Sequence, residues 1–282
     1  MSENRRVGQV KEVTSLANPL VKDIRALAQK KFRDQQDAFM AEGLKLVIDA
    51  LDLGWTIRTL VFGKSQKGNA AVEKVAARTV AAGGMVLEAS EKVLGAITRR
   101  DNPQMVVGVF QQRWLALKDV HPAGNDVFVA LDRVRDPGNL GTVVRTVDAV
   151  GAKGVILVGE STDPFSVETV RATMGSIFAV PVAKAGLDAF LAWRKAAPAR
   201  FVGTHLKGSI DYREQDYAAG PVVLVMGNEQ QGLPDGLAEA CDTLIRIPQA
   251  GRADSLNLAV ATGVALYEIR RQALPAIAGD VS

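Results

Sequence analysis

The chain has 282 residues, 48% of them hydrophobic and 23% charged, with a net charge of +3, two histidines and one cysteine. That length holds two ordinary domains, each with its own core, which excludes a chain governed by disorder. No apolar run approaches the roughly 20 residues that span a bilayer, Cys241 alone cannot build an internal disulfide framework, and the start MSENRRVGQVKEV lacks a secretion core, so a soluble cytoplasmic protein is expected.

Charge is spread unevenly. Up to residue 115 there are 18 Lys or Arg against 12 Asp or Glu, and beyond it 16 against 19. A basic first half suits a polyanion, and it suits a plain solvated surface as well. In chain order, residues 14–33 (TSLANPLVKDIRALAQKKFR) predict one capped helix with Leu20, Ile24, Leu27 and Ala28 on its apolar side. Strands follow at AFMAEG, IRTLVFG, MVLEA and QMVVGVF, with helices near 43–53, 70–82 and 90–97 between them, which implies a small α/β sandwich. Residues 111–126 mix charge, proline and glycine without period, and a linker is placed at 113–124 between domains 1–112 and 125–282. Longer apolar strands then restart at DVFVALD, KGVILVG, FAVPVA, RFVGTHL, PVVLVMG and TLIRIP, so a largely parallel sheet covered by helices is expected. The last segment reads as a long apolar helix from about Ser255. Phe62, Phe110, Phe128 and Phe201 lie in apolar strands, which makes them core rather than base-stacking platforms.

Three loops hold the informative polar residues, each just past an apolar strand, where open α/β sheets bind ligands. In LDRVRDPGNLGTVVRTVDAVGAKG, Asp136, Pro137 and Gly138 make a turn and Asn139 is positioned to cap a helix whose buried stripe is Leu140, Val143, Val144 and Val147. Gly151 can end that helix, and Arg145 faces away from the stripe. In MGNEQQGLP, Gly227 and Gly232 permit close backbone approach while Glu229 is presented at the strand end. In IPQAGRADSLNLAVA, Asp254 or Ser255 is the natural cap, with Asn257 in the first helical turn, where asparagine gains little from propensity.

Taken together, NPLVKDIRAL, FMAEG, DPGNLGTVVRT, MGNEQQGL and IPQAGRADSLNLAVATGVALYE resemble the SpoU, or TrmH-like, family of RNA 2′-O-ribose methyltransferases over nearly the whole chain. The resemblance implies an L30e-like RNA-binding domain followed, from about 123 to 275, by an α/β trefoil knot acting as a homodimer on S-adenosylmethionine. Periodicity could not show a knot, which is among the rarest topologies. Carried over residue by residue, the catalytic positions fall on Asn139, Arg145, Glu229, Ser255 and Asn257, and the cofactor pocket on Thr204, His205, Gly227, Ile247, Pro248, Ser255 and Leu256. Gln230 departs from the glycine many relatives carry. Arg145 is then expected to polarise the 2′-hydroxyl and clamp a phosphate, with Asn139 and Glu229 orienting it; a guanidinium is a poor base.

A two-domain member fits ribosomal RNA better than transfer RNA, and a ribosome-assembly factor without catalysis is the non-enzymatic alternative. GNLG with Glu160 some twenty residues on suggests a dinucleotide site, but the spacing of Gly138 and Gly141 breaks the G-x-G-x-x-G fingerprint. His121, His205 and Cys241 are too scattered for a metal cluster, and Ser255 has no histidine near it for a nucleophilic triad, so neither metal nor membrane is expected.

Overall fold

The computed structural model describes residues 8–275, with the exception of 207 and 209. It consists of two compact units: the chain up to Arg113 together with Asp163–Ala179, and Trp114–Thr162 together with the chain from Val180 onward.

The first unit runs β1 (Gln9–Val13), α1 (Pro19–Ala26), α2 (Lys30–Gln36), β2 (Ala38–Glu42), α3 (Leu44–Asp52), β3 (Ile57–Gly63), α4 (Ala70–Ala81), β4 (Met85–Ala89), α5 (Glu91–Thr98) and β5 (Val106–Gln111). Its sheet has the order β1-β4-β3-β5-β2, parallel from β1 to β3 and antiparallel on both sides of β5. Local chemistry sets the helix starts: Asn18 accepts from the Leu20 amide at 2.9 Å ahead of Pro19, and Asn69 accepts from Ala71 at 3.0 Å. On α4 the buried stripe is Val72, Val75 and Thr79, at helical spacing.

Two expectations change here. Residues 14–33 form two helices rather than one, because the chain is extended at Gln29 and α2 turns Arg33 inward. Arg33 is 3% exposed and donates to Leu27 O at 2.8 Å, across the break. β1 escapes the periodic reading because four of its five residues are exposed.

Residues 163–179 complete this unit's core. Phe165 and Phe178 pack on Phe39 with ring centroids 4.8 and 5.9 Å away, Phe178 meets Phe110 at 5.1 Å, and the Trp55 indole N–H donates to Phe178 O at 2.8 Å. Two ion pairs fasten the segment. Arg33 meets Asp163 at 2.7 Å with both side chains under a tenth exposed, and Arg171 grips Glu42 with two nitrogens at 2.7 and 3.2 Å.

In the second unit β6 (Val127–Asp132), α6 (Pro137–Ala149) and β7 (Gly154–Val158) are followed by α7 (Val167–Ala172), which belongs with the first unit. The chain continues through β8 (Val182–Ala185), α8 (Leu187–Ala196), β9 (Arg200–Thr204), β10 (Ile210–Asp211), β11 (Val222–Met226), α9 (Asp235–Glu239), β12 (Thr243–Arg246) and α10 (Leu258–Arg270). The expected strand FAVPVA splits. Phe178 sits in a 3-10 turn, Ser176–Phe178, within the first unit's core, and β8 begins only after Pro181. The stretch expected as a linker is not free: Leu115 donates to Val182 O at 2.9 Å, and the Trp193 indole donates to the carbonyl of buried Val120 at 3.2 Å.

All strands of the second sheet pair in parallel, in the order β10-β12-β9-β11-β6-β7-β8. From β6 the chain first builds outward to β7 and β8, then returns to build the other side. The order therefore reverses between β6 and β11, the kind of crevice where α/β sheets bind ligands. Phe62, Phe110, Phe128 and Phe201 are buried, as expected for core. Among the described residues no helix is long and apolar enough to cross a membrane, and no group of three His, Cys, Asp or Glu residues could hold a metal.

Candidate active site

Four neighbouring strands, β12, β9, β11 and β6, end on one edge of the second sheet, and the loops leaving them line a cavity of about 1040 Å³. Asn139 and Glu229 stand on the two sides of the reversal, one after β6 and one after β11. Asn257 comes from the loop after β12.

These three side chains form a hydrogen-bonded chain. Asn257 Nδ2 donates to Asn139 Oδ1 at 2.9 Å, and Asn139 Nδ2 donates to Glu229 Oε1 at 3.2 Å. The order of donors is forced, since a carboxylate only accepts: Asn139 must turn its amide N–H toward Glu229 and its oxygen toward Asn257.

Caps shift by a few residues from the sequence reading. Asp136, not Asn139, caps α6, its Oδ1 accepting from the Asn139 amide at 2.6 Å. Pro137 occupies the first helical position, so the cap falls on the residue before it. That leaves the Asn139 side chain free of capping. The cap of α10 is Asn257, not Asp254 or Ser255: its Oδ1 accepts from Ala259 at 2.9 Å and Val260 at 3.3 Å, and the helix starts at Leu258. Asn257 thus serves the helix with one end of its amide and Asn139 with the other. Ser255 is exposed and bonds Asp254 at 3.3 Å. Gly151 does end α6, with φ +64°.

Thr204, His205, Gly227, Ile247, Ser255 and Leu256 all line the cavity; Pro248 and Arg145 do not. Arg145 lies six residues beyond Asn139, about 240° around the helix at roughly 100° per residue, and is exposed on that other face. The walls combine apolar and polar surface. Met226, Ile245, Ile247 and Leu258 offer apolar surface, and Asp136, Glu229 and Asp254 stand in the lining with Arg135 and Arg246, so charges of both signs are at hand. Gly227 admits no side chain, because a Cβ would lie 2.1 Å from the Gly232 carbonyl carbon and the Leu233 nitrogen. Sequence reasoning missed Asn228 and the Asp132–Arg133 pair behind the Glu229 loop. The only outward sign was an asparagine in a position that a plain turn would also explain.

A parallel sheet with such a cavity at its reversal point defines a ligand-binding α/β domain. The chain matches the SpoU rRNA Methylase family over residues 126–267 and the MRM3-like substrate binding domain over residues 18–108. It belongs to the SpoU rRNA methylase family. Among its relatives is the 23S rRNA (guanosine(2553)-2′-O)-methyltransferase RlmP of Bacillus subtilis, 30% identical over 93% of this chain and 100% of that protein. A second is the 23S rRNA (uridine(2479)-2′-O)-methyltransferase of Streptomyces viridochromogenes, 31% identical over 87% of each. The AdoMet-bound crystal structure of an rRNA methyltransferase from Sinorhizobium meliloti is 66% identical, with a TM-score of 0.90 over 94% of this chain and 99% of that one.

Proposed function

We propose that this chain transfers the methyl group of S-adenosylmethionine to a ribose 2′-hydroxyl of ribosomal RNA, in the cavity where Asn139, Glu229 and Asn257 converge. That convergence carries the reading, because it joins three segments up to 118 residues apart at the sheet's reversal point. Relatives over the full length that act on 23S rRNA ribose, and an AdoMet-bound neighbour at 66% identity, support the substrate and the donor.

S-adenosylmethionine supplies a methyl on a positively charged sulfur, with its leaving group built in, so the transfer needs no metal. The chain aligns the hydroxyl and handles its proton. Alignment of the attacking oxygen at about 3 Å is worth roughly 7 kcal/mol or more. Thr204, His205, Gly227, Ile247 and Leu256 hold the donor, Pro248 shapes the loop behind them, and Ser255 with the Asn257–Asn139–Glu229 chain fixes the sugar. The first unit, an L30e-like domain, docks the RNA. The second unit is a trefoil knot, and the enzyme works in the cytoplasm.

Arg145 completes the site from a second copy. Its own cavity is on the other side of α6, and α6 packs beside α10, where Thr146 lies 3.8 Å from the position a Cβ would take on Gly263. On α10, Val260 and Tyr267 are 53% and 52% exposed, with Gly263 and Val264 half-buried between them, an apolar stripe at helical spacing. A homodimer formed on this stripe brings the Arg145 of each copy toward the other's cavity, to polarise the hydroxyl and hold a phosphate.

Labelled methyl transfer to ribosomal RNA, followed by nuclease digestion, tests the reaction: the label is expected on ribose O2′, and label on a base would refute it. Arg145→Ala and Asn139→Ala are each expected to slow methyl transfer about 100-fold with donor affinity retained. Mixed after dissociation, the two should regain about a quarter of wild-type activity, since half the dimers then carry one intact site. No recovery would place Arg145 in its own chain's cavity.

A further inference from the structure

After β11 the chain must turn back at once, yet hold Glu229 against the cavity. Asn228 closes that turn from within. Its backbone amide donates to Gly232 O at 3.0 Å and its carbonyl accepts from the Gly232 amide at 2.8 Å. Its side chain, on a residue 4% exposed, accepts from the amides of Gln230 at 2.9 Å and Gln231 at 3.4 Å and donates to Arg133 O at 2.8 Å. Every polar atom of the side chain is engaged. A carboxamide is needed for this, because one end must accept and the other must donate.

Arg133 is built to receive that bond. It is a non-glycine residue at φ +46°, a left-handed conformation that persists where surrounding contacts over-determine it and that clusters at functional sites. Its side chain doubles back to Asp132, 4% exposed, with Nε at 3.0 Å and Nη2 at 2.8 Å from Oδ2, and its Nη1 donates to Gln231 Oε1 at 3.2 Å. The end of β6 therefore holds the Glu229 loop at two points, through Asn228 and through Gln231. Asn228 and Gln231 lie in the cavity wall, whereas Asp132 and Arg133 stand behind it.

We infer that Asn228, braced by the Asp132–Arg133 pair, is the positioning residue that sets the Glu229 carboxylate against Asn139 across the sheet's reversal point. The inference rests on the reading that Glu229 serves the transfer. Asn228→Asp keeps the two acceptor contacts but sets a buried carboxylate oxygen against Arg133 O where the amide donated. Its single-turnover methyl transfer to ribosomal RNA from a strain lacking the gene is expected to fall about tenfold or more, with the donor's dissociation constant changed less than about threefold. If Asn228 acts through Glu229, Asn228→Asp combined with Glu229→Gln is no slower than Glu229→Gln alone. Should Asn228→Asp fail to fold, Asn228→Ser, which can still accept from the Gln230 amide but has no amide to donate to Arg133 O, enters the same cycle. A wild-type rate for Asn228→Asp, or the same fold loss in both Glu229 backgrounds, overturns the inference while leaving Glu229's role intact. A wild-type rate for Glu229→Gln alone overturns the reading beneath it.

Discussion

The segment 163–179 and the Asn139 cavity both join distant parts of the chain, and they do so by opposite means. In the first unit the join is ionic and buried: the Asp163 and Glu42 side chains are 7% and 5% exposed, each against an arginine. At the cavity the join is a string of two asparagines and one glutamate, with Glu229 and Asn257 exposed. Buried ions are held only where their partners never leave, so the first join is architecture. Apart from the cap that Asn257 gives α10, exposed polar side chains contribute little to folding, and their convergence on a cavity is accounted for by what the cavity does.

That contrast can be broken most sharply at Arg33. Arg33→Met strands a buried carboxylate on Asp163 and is expected to lower stability by about 3 to 5 kcal/mol, measured by urea unfolding. A loss below about 1 kcal/mol would make the pair ornamental. Next comes Asn139→Ala, expected to slow methyl transfer about 100-fold, or roughly 2.7 kcal/mol, with stability changed by less than about 1 kcal/mol. If it destabilised the fold as much as Arg33→Met, the two joins would be of one kind. A third measurement concerns the packing around Cys241, whose sulfur lies beside Gly203. Burial pushes the Cys241 thiol up to about 12, with Asp242 adding to it. Against a free thiol near 8.5, alkylation of the native protein at pH 8 is expected to run about three orders of magnitude slower than in urea. Comparable rates would show this packing opening.

Much of this was legible because it is local. The apolar strands of the second sheet could be read as runs, and α4 as a stripe, since burial on both faces or on one leaves a periodic trace. The three loops were legible as polar residues just past apolar strands. What escaped is non-local. Arg33 looks like one more cation on a basic helix, and its partner lies 130 residues on. The role of Phe165 and Phe178 in the first unit's core leaves no mark in their own neighbourhood, and β1, with mostly exposed residues, has no alternation to show. Caps were misplaced by two or three residues because several polar side chains precede each helix, and only geometry chooses among them. The place of Arg145 around α6 was read correctly as facing off the valine stripe, but that reading could not say which cavity it serves.

The account's central claim is that the site at Asn139, Glu229 and Asn257 methylates ribose in ribosomal RNA. A map of 2′-O-methylated positions in ribosomal RNA tests it, from cells with the gene, without it, and with only the Asn139→Ala allele. One ribose methyl present in the first and absent from both others is the expected result. A map unchanged by loss of the gene, or fully restored by Asn139→Ala, would contradict it.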